Sequence, residues 1–127
     1  TIGPIHAFKR RTDALRHELR GFLSDIRRSG KSIFAYGAST KGNTLLQYCG
    51  IDHSFIEAAA DRNPEKWGRY TPGTNIPIIS EEEARQQKPD FFLVLPWHFK
   101  NEIIRREKNI IKKGTKFIFP LPDLKVL

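Results

Sequence analysis

Phe91-Phe92-Leu93-Val94-Leu95 is apolar without alternation, the pattern of a strand buried on both faces. Such a strand needs cover on each side, and the rest of the chain offers helices for it. Phe8, Leu15, Leu19, Phe22, Leu23 and Ile26 recur at three- and four-residue steps, so residues 5–28 read as one long amphipathic helix ending near Gly30. A strand over Ser32 to Tyr36, a helix over Gly42 to Cys49 and a strand over Phe55 to Ala60 follow. A short extended piece, Ile76 to Ile79, leads to an N-capping Ser80, with Glu81, Glu82 and Glu83 favouring the first turn of a helix that runs to Gln87. A further helix carries Phe99, Ile103, Ile104, Ile110 and Ile111 to Gly114, and Lys116 to Phe119 forms a last strand. Strands alternating with helices over short connections predict an α/β fold: a Rossmann-like parallel sheet of about five strands, helices on both faces, and a long leading helix.

The 127 residues suit one domain, and no apolar run approaches the roughly 18 residues that span a bilayer, so a cytoplasmic protein is expected, with no membrane partner. The chain starts without a Met, which reads as a piece of a longer protein. A lone Cys49 excludes an internal disulfide and a cysteine zinc cluster, and reads as a buried structural thiol. His6, His17 and His53 lack ligand-like spacing, so no metal site is expected. The net charge of +8 favours anionic partners, with many of the cations (Lys9, Arg10, Arg11, Arg16, Arg20, Arg27, Arg28, Lys31) on or near the leading helix. A solvated helix face accounts for them as well as nucleic acid does.

In parallel sheets of this kind ligands bind beyond the carboxyl ends of the strands. The residues that look least like packing lie there. Tyr36-Gly37-Ala38-Ser39-Thr40-Lys41-Gly42-Asn43-Thr44 joins a buried strand to a helix, where free backbone N–H groups gather partial positive charge and can hold phosphate. Gly37 and Gly42 have P-loop spacing, but Asn43 stands in place of the lysine and no acidic residue ends the Phe91–Leu95 strand. The dinucleotide fingerprint fails too, because Ser39 occupies its second glycine position, although Asp61 lies where such proteins hold a ribose. A tight turn alone would also explain the glycines.

The loop from Asp61 to Asn75 is long and chemically mixed: Lys66 and Arg69 could pair with phosphates, and Trp67 or Tyr70 could stack on a ring. His98 follows Trp97 at a helix start, where a cap or polar contact is the ordinary role. No contiguous nucleophile, base and orienter appear, and no catalytic residue is assigned.

Four segments taken together, YGASTKGNTLLQYCGI, DRNPEKWGRYTPGTNIPI, FFLVLPWHFKNEI and KGTKFIFPLP, resemble the C-terminal domain of S-adenosylmethionine-dependent sugar-nucleotide C-methyltransferases, over about residues 5–123. The resemblance implies a single Rossmann-like domain that follows a zinc module and a methyltransferase domain in a longer chain. It implies that S-adenosylmethionine and the general base belong to the upstream domain, that none is bound here, and that this piece alone is inactive. The implied partners are that upstream domain and a nucleotide-linked deoxyketosugar rather than nucleic acid; the alternative reading of the residues is a nucleotide- or nucleic-acid-binding module without methyl transfer. Carried over by motif, Gly37, Ser39, Thr40, Lys41 and Asn43 would face the substrate cleft, and Asp61, Lys66, Arg69 and Tyr70 would line its other side.

Overall fold

The computed structural model describes residues 4–127, with side chains from residue 12 onward; the expected contributions of His6, Phe8, Lys9, Arg10 and Arg11 lie outside the described side chains. Helix α1 (Pro4–Arg28) leads into β1 (Ile33–Tyr36) and α2 (Thr40–Cys49), then β2 (Ala59–Asp61), β3 (Ile78–Ser80), α3 (Glu81–Gln86) and β4 (Phe91–Val94). Two short helices, α4 (Lys100–Arg106) and α5 (Lys108–Lys112), precede β5 (Lys116–Phe119) and β6 (Lys125–Val126). The sheet has six strands in the order β3-β2-β1-β4-β5-β6, parallel except for β6, which pairs antiparallel with β5.

Every residue of β1 and β4 is buried, and their side chains split by parity between two cores. Ile33, Ala35, Phe91 and Leu93 meet Leu19, Leu23 and Ile26 of α1 and Leu46 and Cys49 of α2. On the other face Phe34, Tyr36, Phe92 and Val94 meet Ala84 of α3, Ile103 of α4 and Ile110 of α5. Phe92 is the hub there, with ring centroids 5.5 Å from Tyr36 and 5.3 Å from Phe117. Burial also raises the pKa of the Cys49 thiol above its ordinary value, in keeping with a structural role.

Three elements differ from the sequence expectation. The second strand begins at Ala59 rather than Phe55, because Asp52 organises a turn: its carboxylate accepts from the Ser54 amide (2.9 Å), and its carbonyl accepts from Phe55 and Ile56. The helix expected through to Gly114 breaks at Glu107, whose backbone (φ −102°, ψ 21°) leaves the helical region. A sixth strand, β6, extends the sheet past β5.

Much of the long loop covers a sheet edge. Gly68 N–H donates to the Ile78 carbonyl and Ile78 N–H to Arg69 (both 2.9 Å), while Tyr70 bridges to Pro77, so these residues occupy the open side of β3.

Candidate functional site

Strand order 3-2-1-4-5 places the reversal of winding between β1 and β4: the connection after β1 crosses one face of the sheet and that after β4 the other. A crevice opens at such a point. Here it is a cleft of about 390 Å³, with Gly37, Ala38 and Ser39 on one wall, Asp61, Arg62, Lys66 and Glu81 on a second, and Pro96, Phe99, Glu102, Ile103 and Arg106 on a third.

The glycine turn is shaped by packing as well as by openness. Gly37 adopts φ +86° with Pro96 close against it, and its amide donates to the Ala60 carbonyl at 2.8 Å. Gly42 is the point where α2 touches Leu95, too close for any Cβ. Ser39 caps α2, its hydroxyl accepting from Gly42 N–H at 3.1 Å. The amides of Ser39, Thr40 and Lys41 have no acceptor among the described residues. They are the orphan donors of a helix start.

Asp61 ties the turn to the next strand. One carboxylate oxygen accepts from Ala38 N–H (2.9 Å) and the other from Asn63 N–H (2.8 Å). Lys66 closes the same corner, its ammonium 3.2 Å from the Ala38 carbonyl and 3.7 Å from Asp61. Lys41 stands at the rim, 3.3 Å from His98 Nε2 and 5.8 Å from the centre of the Trp97 ring, which stacks on His98. An ammonium can only donate, so Nε2 is the acceptor in that contact.

Of the sequence-derived candidates, Gly37, Ser39, Asp61 and Lys66 thus line the cleft. Thr40 and Lys41 sit at the α2 start beside it. Asn43 is buried and turned away: its amide group donates to the Pro72 carbonyl (2.8 Å) and accepts from Thr74 (2.6 Å), pinning the loop to α2. Arg69 and Tyr70 stand at the edge of β3, outside the lining. Arg62, Glu81, Phe99, Glu102 and Arg106 line the cleft without having been singled out. The last three recur at three- and four-residue steps, a shared helix face that the pattern alone could have flagged.

Behind the cleft lies a charged cluster. The buried Glu107 carboxylate accepts two bonds from Arg85 (2.8 and 2.7 Å) and one from the Tyr36 hydroxyl (2.7 Å), which itself accepts from Arg106 (2.7 Å). Burial pushes the Glu107 pKa up, but the bonds from Arg85 and Tyr36 and the neighbouring guanidinium charges outweigh it and hold the carboxyl below its ordinary value. Glu81, with Arg62 and Arg85 nearby, moves the other way, because burial dominates.

The basic surface of α1 is partly spent within the fold. Arg27 pairs with Glu57 at 2.7 Å, Arg28 with Asp25, and Arg20 lies over the Phe55 ring. Among the described residues no group of three or more His, Cys, Asp or Glu could hold a metal ion, and no helix is long and apolar enough to cross a membrane.

A family model for the C-methyltransferase C-terminal domain matches residues 1–122. The C-methyltransferase NovU of Streptomyces niveus is 38% identical over 115 residues, which cover 91% of this chain and 27% of that protein. The chain thus spans about a quarter of the length of that relative. By this near-complete match the chain belongs to the C-methyltransferase C-terminal domain family.

Proposed function

We propose that this chain is the substrate-holding and scaffolding domain of an S-adenosylmethionine-dependent C-methyltransferase whose acceptor is a nucleotide-linked deoxyketosugar. The observation that carries this reading is the start of α2: three amides with no acceptor among the described residues, and the Lys41 ammonium, stand beside a cleft at the reversal point of the sheet. That is a cradle for a diphosphate. Phe99, more than half exposed on the opposite wall, offers a flat apolar surface for a ring.

The chain's own residues suit the methyl donor poorly. The carboxylate positioned for adenosine ribose hydroxyls, Asp61, has both oxygens engaged by amides of the chain. This supports placing S-adenosylmethionine, and the base that removes a proton beside the sugar ketone, in an upstream domain of the same protein. The part left to this domain is to bind, orient and shield the acceptor, and alone it is inactive.

Titration calorimetry of a nucleotide diphosphate sugar into the full-length enzyme tests the reading. Lys41→Ala removes a charge-assisted hydrogen bond and should weaken binding by about 1–3 kcal/mol. Unchanged affinity would remove the α2 start from the site.

A further inference from the structure

A second cavity, about 520 Å³ and larger than the first, lies on the same face of the sheet but toward the amino ends of β4 and β5, between α3 and α5. Arg85, Lys88, Arg106 and Lys113 line it, against two carboxylates, Asp90 and Glu107. Both carboxylates are already engaged within the fold: Asp90 accepts from the Ser32 amide (2.8 Å) and hydroxyl (3.3 Å), and Glu107 is held by Arg85 and Tyr36. The cavity therefore carries a formal excess of two positive charges, whereas the cleft at the glycine turn balances Arg62, Lys66 and Arg106 against Asp61, Glu81 and Glu102.

The two lysines have no ion pair or side-chain hydrogen bond among the described residues. Lys88 also sits at φ 49°, in the left-handed region that glycine or asparagine occupies at lower cost. That backbone ends α3, and it sets a cation with no partner among the described residues at the rim of a positive cavity. Arg85 spends its Nε and Nη2 on Glu107, which leaves Nη1 free to donate.

We propose that this cavity is a second anion site, separate from the glycine-turn cleft, that takes the phosphoryl group of a small phosphorylated molecule. Lys88 and Lys113 supply mobile charges at the rim, and Arg85, held by Glu107, and Arg106, held on the Tyr36 hydroxyl, supply planar donors at the back. The volume has room for the phosphoryl group and an attached ring.

Inorganic pyrophosphate, titrated into the chain carrying Lys41→Ala so that the glycine turn is weakened, is the probe, read by calorimetry and by ³¹P line broadening. Binding is expected to persist in that background. It should weaken by about tenfold or more on Lys113→Ala, and equally on Lys88→Gly. Lys88→Gly should at the same time raise the thermal midpoint, because it relieves the left-handed strain; a residue kept only for the fold would not separate the two effects. Affinity within about twofold of the parent in the Lys88→Gly, Lys113→Ala double variant overturns the proposal, as does an absence of binding up to ~10 mM. Loss of all binding on Lys41→Ala alone also overturns it, while supporting the glycine turn as the anion site.

Discussion

Gly42 is where a single methyl group should do most damage. A Cβ built there would lie 2.9 Å from Ser39 Oγ, 3.0 Å from Leu95 Cγ and closer still to Leu95 Cβ. Leu95 Cβ is fixed to the backbone just beyond β4 and buried, so no rotamer change relieves the contact. Relief requires α2 to lift from the sheet by roughly half an ångström or more, and overpacking of this kind costs about 1–3 kcal/mol. Crowding Ser39 also threatens its cap on Gly42 N–H, worth about 1 kcal/mol. Alanine's better helix propensity returns about 1 kcal/mol. The balance for Gly42→Ala is a loss of about 1–3 kcal/mol, measurable by urea titration followed by far-ultraviolet circular dichroism with linear extrapolation. Gly21, inside α1 with open space where its Cβ would go, is the matched control: Gly21→Ala should gain up to about 1 kcal/mol. If Gly42→Ala proves as stable as the parent, or if the two substitutions shift stability alike, the close approach of α2 to Leu95 does not constrain this position.

Glu107→Gln should cost about 2–4 kcal/mol near neutral pH, since it leaves the guanidinium groups of Arg85 and Arg106 without their shared counter-charge. The Glu107 pKa is lowered in the fold, so its contribution is present above the unfolded value of about 4.3 and fades as pH falls toward the folded one. The stability difference between parent and variant, followed by urea titration from pH 7 to pH 3, should therefore shrink below about pH 4. Glu81, whose pKa is raised by burial and in part by the charge of Glu107, contributes in the opposite sense. Asn43→Ala should lose about 1–3 kcal/mol by thermal or urea unfolding, because the Thr74 hydroxyl and the Pro72 carbonyl each lose a buried partner.

The elements that announced themselves in the sequence are those whose cause is local. Ser80 caps α3 through Glu83 N–H at 3.0 Å, and the unalternating apolar run became β4 because its residues face two cores. The strand-to-helix turn was equally legible, since Gly37 needs a positive φ and Ser39 is an ordinary N-cap. Phe55 and Ile56 misled because an Asp52 to Ser54 turn takes their amides before the sheet can. Lys125 and Val126 are too few and too exposed for any period to mark them as a strand. At the site the split is similar. Asp61 and Lys66 could be placed at the cleft from their position after a strand, but the loop carries Arg69 and Tyr70 on to the edge of β3, a path set by pairing with Ile78 and Pro77. The Tyr36, Arg85, Arg106 and Glu107 cluster joins residues 71 positions apart, and nothing local to Tyr36 announces its partner.

The break between α4 and α5 has a meaning for how the molecule assembles. Ile103, Ile104, Ile110 and Ile111 keep a helical period across it, and Glu107 is a good helix former. The segment by itself has no reason to bend. The carboxylate that leaves the helical path does so to reach Arg85 and Tyr36, 22 and 71 residues earlier in the chain. The kink is therefore tied to the assembled sheet, because the partners that hold Glu107 come from β1 and α3. One side chain thus ties the last helical layer to the strands it covers.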